Sequence, residues 1–308
     1  MLSLDEQLRR GALACPVTGS PLRRASESSL VSLEGRSYRL AGSVPILLAD
    51  EPEIEKSLAD AGGAMVQEYT CSAAGPAGKA SRPSAFSLAS LNRLLHVSEI
   101  IRSDAANAAF SAVVGAQPEG ALLLSIGGGP RRVHPGLVNV NIGLFENVDV
   151  VADGYRLPYV DGSVDACHCE AVLEHMEEPW RAVAEMFRVL RPGGQVFAAT
   201  PFLQAFHAYP NHFQNFTLEG QRRLFERAGF EVLAAGACVG PTFAIADLTL
   251  EYLRVYVKSR NLSRFLRLPL AAVFRLLLRL DRRLLRDAPA SDLASTTFVH
   301  ARKPEAQP

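Results

Sequence analysis

The sequence lacks an excess of either charge, since Lys and Arg together number 32 and Asp and Glu together also number 32. This balance argues against binding of nucleic acid through overall charge, so any basic surface must be local. Cysteine is scarce, at five residues in a chain of 308, and no two are spaced as Cys-x-x-Cys. The stretch MLSLDEQLRR has no apolar core of signal-peptide length, and no uncharged apolar run reaches the ~20 residues of a membrane span. We therefore expect a cytoplasmic protein with reduced thiols.

Strand and helix patterns alternate from residue 120 onward. Strands are predicted at 121–126, 137–142, 148–152, 164–169, 194–200, 230–237 and 296–302, and helices at 178–190 and 217–228. The alternation predicts an α/β fold, a Rossmann-like, mostly parallel sheet of seven strands with helices on both faces. Arg191-Pro-Gly-Gly194 is expected to end the first of these helices, so that the next strand begins at once.

Three further segments complete the predicted organisation. Residues 1–60 are read as a small β-rich module, and 61–85, rich in Ala, Gly and Ser, as a linker. The α/β domain spans 86–308 and opens with a helix over 86–114, where His96 is a packing or surface residue. Residues 241–293 interrupt it with a Leu- and Arg-rich insertion of two helices, broken near Pro269, before the last strand.

The insertion carries the one strong local charge. Between Glu251 and Asp287 there are ten Lys or Arg residues and three Asp or Glu residues. Two interpretations stay open: an amphipathic basic helix that lies on an anionic membrane through 251–287, or leucines that pack on the domain beneath a solvated arginine face. The first would place the protein at the inner face of the membrane.

Polar residues and glycines recur where the predicted strands end. The first strand runs into Gly127-Gly-Gly129, where a backbone without β-carbons can approach a ligand closely. Asn141 ends the second strand, Asp153 the third, and Cys169 and Glu170 the fourth. A ligand that crosses these strand ends would meet a polar group from each in turn.

These motifs, in this order, resemble the class I S-adenosylmethionine-dependent methyltransferases, in particular a subgroup with a short first loop and a V-L-E-H motif. The resemblance covers about residues 120–240 and the final strand. The matching segments are Gly127-Gly-Gly129, Asn139-Val-Asn-Ile142, Ala152-Asp-Gly-Tyr-Arg-Leu-Pro-Tyr-Val-Asp-Gly-Ser-Val-Asp165, Val172-Leu-Glu-His175, Glu185-Met-Phe-Arg-Val-Leu-Arg-Pro-Gly-Gly194 and Thr200-Pro201.

The resemblance implies S-adenosylmethionine as the cofactor and assigns residues to it. Glycines of the first turn would approach its methionine part, Asn141 its ribose, Asp153 and Gly154 its adenine, and Cys169 and Glu170 its sulfonium side. The full set of expected cofactor residues is Ser125, Gly127, Gly128, Gly129, Asn141, Ile142, Asp153, Gly154, Cys169 and Glu170. Ser125 and Asn141 stand where the family carries acidic residues. An amide accepts a weaker hydrogen bond than a carboxylate, so modest cofactor affinity is expected.

Three histidines are the candidate catalytic residues, His175 after the fourth strand and His207 and His212 in the loop after the fifth. Histidine suits removal of a proton from an acceptor hydroxyl near neutral pH. For His175, an imidazole bound to backbone is an equal alternative. No metal is expected, because alternate residues of Cys167-His-Cys169 face opposite sides of a strand. His168 is expected to be structural.

The N-terminal module resembles the zinc-ribbon-like module that accompanies RNA and protein methyltransferases. Thr18 stands where the second cysteine of the first pair would be, so we expect no zinc there. The function predicted is methyl transfer to a small-molecule, glycan or lipid-linked acceptor, at oxygen. The alternatives are an RNA methyltransferase and a catalytically silent cofactor-binding partner. Acceptor identity, pathway and oligomeric state do not follow from the sequence.

Overall fold

Eleven strands in the described residues form one continuous sheet. The computed structural model describes residues 1–49, 100–130, 132–207 and 211–305. The strands are β1 (Arg23–Ser26), β2 (Ser29–Val31), β3 (Ser37–Ala41), β4 (Val44–Leu47), β5 (Leu123–Ile126), β6 (Leu137–Asn141), β7 (Val150–Ala152), β8 (Val164–Glu170), β9 (Leu190–Pro201), β10 (Glu231–Val239) and β11 (Thr296–Arg302). Their order across the sheet is β1-β2-β3-β4-β7-β6-β5-β8-β9-β11-β10.

The last seven strands of that order form the α/β core that the alternation predicts. β5 lies in its interior and pairs in parallel with β6 and β8, and these pair in parallel with β7 and β9, respectively. β11 is antiparallel to both β9 and β10. Strands β5 to β9 therefore end at one edge of the sheet, here called the carboxyl edge, where α/β proteins bind their ligands.

Helices cover both faces of this core, as expected. They are α1 (Leu4–Arg9), α2 (Asp104–Phe110), α3 (Pro179–Val189), α4 (Leu218–Arg227), α5 (Pro241–Tyr256), α6 (Arg260–Leu277) and α7 (Asp281–Leu284). Met186 of α3 and Phe225 of α4 are buried in one core cluster, and Ala106 and Ala109 of α2 in another. The helices predicted at 178–190 and 217–228 are confirmed as α3 and α4, the latter begun by Thr217, whose hydroxyl accepts from Gly220 N–H at 3.1 Å.

The insertion differs from its prediction in one respect. Its two helices are not broken near Pro269, which lies inside α6; the break falls at 257–259, between α5 and α6. Ser259 caps α6 by accepting a hydrogen bond from Leu262 N–H at 3.4 Å. Ser259 starts the new helix, and Pro269, which removes one backbone donor and crowds the preceding turn, is accommodated inside α6. No helix in the described ranges is both long and apolar enough to cross a membrane.

The N-terminal strands extend the main sheet. β1 to β4 form an antiparallel meander, and β4 then pairs in parallel with β7. Leu30 and Tyr38 of the meander belong to the same core cluster as Leu124 of β5. Of the helix predicted over 86–114, the described part contains α2 and a π-helical turn, Ser111–Gly115. The predicted linker and His96 lie outside the described residues.

Candidate active site

The glycine turn that follows β5 lies at the carboxyl edge. Gly127 has a φ of +69° and Gly129 a φ of +59°, in the left-handed region that favours glycine. A Cβ on Gly127 would collide with both γ carbons of Val172, and one on Gly128 would lie 2.6 Å from Asn139 Oδ1. Glycine is required in this turn because the side chains of Val172 and Asn139 already occupy the space that a Cβ would take.

Asn139 anchors this turn, a role that sequence reasoning missed. Its side-chain amide donates to the carbonyl oxygen of Gly129 at 2.8 Å and to that of Asn147 at 2.9 Å. The loop between β5 and β6 has no helix among its described residues, and Arg132 braces it with a two-bond ion pair to Asp149 at 2.8 and 2.9 Å. In the sequence, Asn139 stands out only as the first residue of the Asn139-Val-Asn-Ile142 motif.

Ser125 faces a buried polar chain. Its hydroxyl is 3.2 Å from His168 Nδ1, and His168 Nε2 is 3.3 Å from Glu170 Oε2, which also accepts from Arg102 at 3.2 Å. Burial alone would raise the pKa of Glu170, but the hydrogen bond to His168 and the charge of Arg102 outweigh it and lower that pKa. Glu170 is therefore a carboxylate at neutral pH, held at the end of β8.

The residues expected near the ribose and adenine also lie at the carboxyl edge. Asn141 Oδ1 accepts from Gly143 N–H at 3.1 Å, and Asp153 Oδ1 accepts from Tyr155 N–H at 2.9 Å. Gly154 lies against Met176, whose Cε would be 2.9 Å from a Cβ at this position. Ile142 packs against a small apolar cluster that includes Val151 of β7. The structure thus brings the predicted cofactor residues of β5, β6 and β7 to one edge.

Cys169 is placed differently from its neighbours. Its side chain is buried in the main core cluster, and burial raises the pKa of the thiol. Directly after Glu170, Ala171 has a φ of +54°, which is uncommon for a residue with a Cβ. Such strain persists where the surrounding structure fixes it, often at functional sites. It turns the chain from β8 into the short 3₁₀ helix Leu173–His175.

That turn brings two of the three candidate histidines together around a buried carboxylate. Glu174 is fully buried, and its Oε1 lies 3.8 Å from His175 Nε2 and 3.9 Å from His207 Nε2. His175 Nδ1 lies 2.6 Å from the carbonyl oxygen of Asn211, and His207 Nδ1 lies 2.9 Å from that of Ala205. We call Glu174, His175 and His207 the histidine cluster. Glu174 is a second residue that sequence reasoning missed, although it stands inside the V-L-E-H motif.

The two histidines of the cluster have opposite pKa directions. For His175, burial lowers the pKa and outweighs the negative charge of Glu174. For His207, burial also lowers the pKa, but the interaction with the Glu174 carboxylate, the hydrogen bond to the Ala205 carbonyl oxygen and the charge of Asp247 outweigh it and raise the pKa overall. His175 is consequently a neutral imidazole at pH 7.

His212 lies beside the cluster with both ring nitrogens engaged. Its Nδ1 accepts from the His207 backbone N–H at 3.2 Å, so its Nε2 carries the proton toward Asn215 Oδ1 at 2.7 Å. Its ring centroid is 4.2 Å from that of His207. The geometry therefore gives His212 a supporting contact with His207.

The insertion reaches the same place. Asp247 of α5 accepts a hydrogen bond from Ala205 N–H, and burial and the charge of Glu251 together raise the pKa of its carboxyl group. Val172 touches Gly127, and Met176 touches Gly154. The segment from Val172 to Met176 thus joins the glycine turn to the histidine cluster, with α5 alongside.

Comparison with known proteins agrees with this geometry. Residues 134–198 match the family model described as "Methyltransferase domain". An uncharacterized methyltransferase of Mycobacterium sp. (strain KMS) is 40% identical over 94 residues, covering 25% of this chain and 37% of the relative. A chloroplastic uncharacterized methyltransferase of Arabidopsis thaliana is 57% identical over 54 residues, covering 18% of this chain and 15% of the relative. The chain thus spans well under half the length of these curated relatives. Among solved structures, the [4+2]-cyclase SpnF is similar with a TM-score of 0.45 and 17% identity over 81% of this chain and 95% of that one.

The parallel strands of this α/β fold end at the carboxyl edge, where α/β proteins bind their ligands. The segment that matches the methyltransferase-domain model runs from the loop before β6 into β9.

Proposed function

We propose that this protein is an S-adenosylmethionine-dependent methyltransferase that methylates a hydroxyl group of a small-molecule, glycan or lipid-linked acceptor. The observation that carries the proposal is the contact of the Gly127–Gly129 turn with Val172, which sets a bare nucleotide-binding backbone next to the histidine cluster. A cofactor site and a proton-accepting site then share one edge of the sheet.

The residues present fit the cofactor. A Cβ on Gly127 would collide with Val172, and one on Gly128 would lie 2.6 Å from Asn139 Oδ1, an atom that is buried without a donor among the described residues. Asn141 and Asp153 offer oxygens from two neighbouring strands for hydroxyl and amino groups. When bound, S-adenosylmethionine supplies a methyl group on a sulfonium leaving group.

The protein's own contribution is orientation and proton removal. Holding an acceptor oxygen in line with the methyl group is worth up to ~7–11 kcal/mol of the barrier, and a positioned base adds ~10²–10⁴ in rate. We assign orientation to the carboxyl edge and removal of the hydroxyl proton to the histidine cluster. The neutral His175 imidazole suits this role at pH 7.

Calorimetry with S-adenosylhomocysteine tests the proposal. We expect binding at micromolar to sub-millimolar concentration, since the amide of Asn141 replaces the carboxylate expected near the ribose. No heat of binding at millimolar ligand would contradict the methyltransferase assignment. Binding without methyl transfer from labelled S-adenosylmethionine to any extract would instead favour the silent cofactor-binding partner.

The histidines give a second prediction. His207→Ala should lower turnover by ~10²-fold or more because it removes a group of the histidine cluster, whereas His212→Ala should lower it less because it removes only a support of His207. The affinity for S-adenosylhomocysteine, measured in parallel, should be unchanged in both. Normal turnover in both variants would refute the assignment of these residues.

We further propose that the insertion lies on an anionic membrane surface, which favours a lipid-linked acceptor. Large apolar side chains of α6 and of the 3₁₀ turn that follows it are exposed at spacings of three and four residues, which places them on one face. Leu262, Phe265, Leu266, Val273, Leu276, Leu277 and Leu280 are between 36% and 73% exposed. Exposed basic side chains accompany them, among them Lys258, Arg260 and Arg279. Apolar area combined with a local basic excess is typical of helices that lie on anionic bilayers, and a lipid-linked acceptor would be met there.

Flotation with vesicles tests this surface. We expect the protein to float with vesicles that contain anionic phosphatidylglycerol and not with neutral phosphatidylcholine. Phe265→Ser, at a side chain 73% exposed, should reduce flotation several-fold, whereas Leu33→Ser, at a side chain 72% exposed on the N-terminal meander, should not. Equal flotation of both variants, or a concentration-dependent dimer that Phe265→Ser abolishes, would contradict membrane docking.

A further inference from the structure

Three atoms with lone pairs converge in the histidine cluster. They are the Glu174 carboxylate oxygen, His175 Nε2 and His207 Nε2, and all lie within 4.8 Å of one another. Atoms that share a metal ion lie about 3–4 Å apart, as follows from metal–nitrogen and metal–oxygen distances of ~2.0–2.2 Å. Shifts of less than an ångström would bring the three to that spacing.

The hydrogen bonds around the cluster fix which ring nitrogens are available. A carbonyl oxygen only accepts hydrogen bonds, so each Nδ1 that faces one must carry its proton. His175 donates in this way to Asn211 and His207 to Ala205. In the neutral rings, both Nε2 atoms therefore present lone pairs to Glu174. Metal-binding histidines are commonly held by the same kind of outer contact, an Nδ1–H on a backbone carbonyl.

The environment of Glu174 also points to a bound cation. Its side chain is 0% exposed, and neither carboxylate oxygen accepts a hydrogen bond from any residue in the part of the chain that the structure describes. Burial of an ionised carboxylate without partners is costly, so buried charges pair with a cation or coordinate a metal. The nearest groups are His175 Nε2 and His207 Nε2, 3.8 and 3.9 Å from Oε1, which is too long for a direct hydrogen bond but is a separation that one shared cation would bridge.

We propose that Glu174, His175 and His207 form a binding site for one divalent transition-metal ion. Two imidazoles and one carboxylate are a ligand set used for zinc and for iron(II), with positions left open for a further ligand. From the sequence no metal is expected, and the one triplet weighed there as a metal site, Cys167-His-Cys169, lies elsewhere, on β8. This site joins two adjacent residues after β8 to a third in the loop after β9.

The role of the ion, unlike its binding, rests on the proposed function. An acceptor hydroxyl at an open position would have its pKa lowered, so that its proton leaves to solvent while the oxygen keeps the electron pair. As that oxygen bonds to the methyl carbon, the carbon–sulfur bond breaks and its electron pair stays on sulfur. With both Nε2 atoms serving as ligands, the ion, and not an imidazole base, would bring about the proton removal that we assign to the cluster.

Metal content and zinc calorimetry on the full-length protein test the site, without cofactor or acceptor. After purification without chelators and dialysis against Zn²⁺, we expect close to one zinc per chain. Glu174→Gln keeps the shape but removes the charge, and should weaken zinc affinity at least tenfold. His207→Ala, at a side chain 33% exposed, tests the site with less risk to folding and should bring zinc content to background. His134→Ala, at a histidine outside the cluster, should retain the wild-type zinc content.

Cobalt(II) substitution identifies the ligands. We expect visible bands of a nitrogen- and oxygen-ligated ion and no thiolate charge-transfer absorption, since the cluster contains no cysteine. Substoichiometric zinc in the wild type, equal zinc affinity in Glu174→Gln, or a thiolate band would each overturn the proposal. A protein without metal that still transfers methyl groups would refute the metal site and leave the methyltransferase assignment intact. A protein that binds zinc but not S-adenosylhomocysteine would do the reverse.

Discussion

Gly127→Ala is expected to reduce the affinity for S-adenosylhomocysteine at least a hundredfold, which corresponds to about 2.8 kcal/mol. Two effects combine at this residue. The φ of +69° disfavours any residue with a Cβ by ~1–2 kcal/mol, and the new methyl group would collide with both γ carbons of Val172. To relieve the collision, either the glycine turn or the Val172 loop must move, and both line the proposed cofactor site.

Gly162→Ala separates the two effects. Gly162 has nearly the same φ, +67°, but the nearest atom to its added Cβ would be 3.8 Å away on Arg191. Both variants should lose stability in urea unfolding, Gly127→Ala by more because of the collision with Val172, and only Gly127→Ala should lose ligand binding. Adding Val172→Ala to Gly127→Ala removes the colliding carbons and should restore part of the affinity. Equal affinity of Gly127→Ala and Gly162→Ala would show that this turn does not hold the ligand.

The sequence predicts the core of this fold well because parallel strands are buried runs of apolar residues bounded by turn residues. β5, β8 and β11 fall within two residues of their predicted ends. α3, however, ends at Val189, and the Arg191-Pro-Gly-Gly194 stretch that was expected to end it lies inside β9, which begins at Leu190 and not at residue 194. These signals are local, so one sequence is enough to find them.

What the sequence could not predict depends on contacts between distant segments. The pairing of β4 with β7 joins residues about a hundred positions apart, and no local pattern marks it. The side-chain anchor at Asn139 and the fixed tautomer of His175 are set by partners on other loops. Glu174 stood in a motif that the sequence had already shown, but its burial without a donor is a property of packing alone.

Packing between distant segments also holds the insertion in place, through Asp281. This residue is 0% exposed, and its two carboxylate oxygens accept from Thr242 N–H at 2.9 Å and Phe243 N–H at 3.1 Å. Those donors open α5, whose own N-cap residue, Gly240, has no side chain to satisfy them. A negative charge at this end of the helix is also favoured by the helix dipole.

Asp281→Ala is therefore expected to destabilise the protein by about 2–4 kcal/mol, because it removes two charge-assisted hydrogen bonds and leaves buried donors without partners. Urea unfolding measures the loss. Asp287→Ala removes the same charge from an exposed side chain in the same segment and should change stability by less than about 0.5 kcal/mol.

Hydrogen exchange shows where Asp281 acts. Because α5 touches the loop after β9 through Asp247 and Ala205, Asp281→Ala should speed exchange over residues 241–256 before it affects β5 or β8. Turnover should then fall, while the glycine turn, on other strands, keeps its affinity for S-adenosylhomocysteine. If Asp281→Ala and Asp287→Ala unfold at the same urea concentration, water satisfies the first turn of α5 as well as the carboxylate does. The position of α5 over the histidine cluster would then have to come from its apolar contacts with α6 and the sheet.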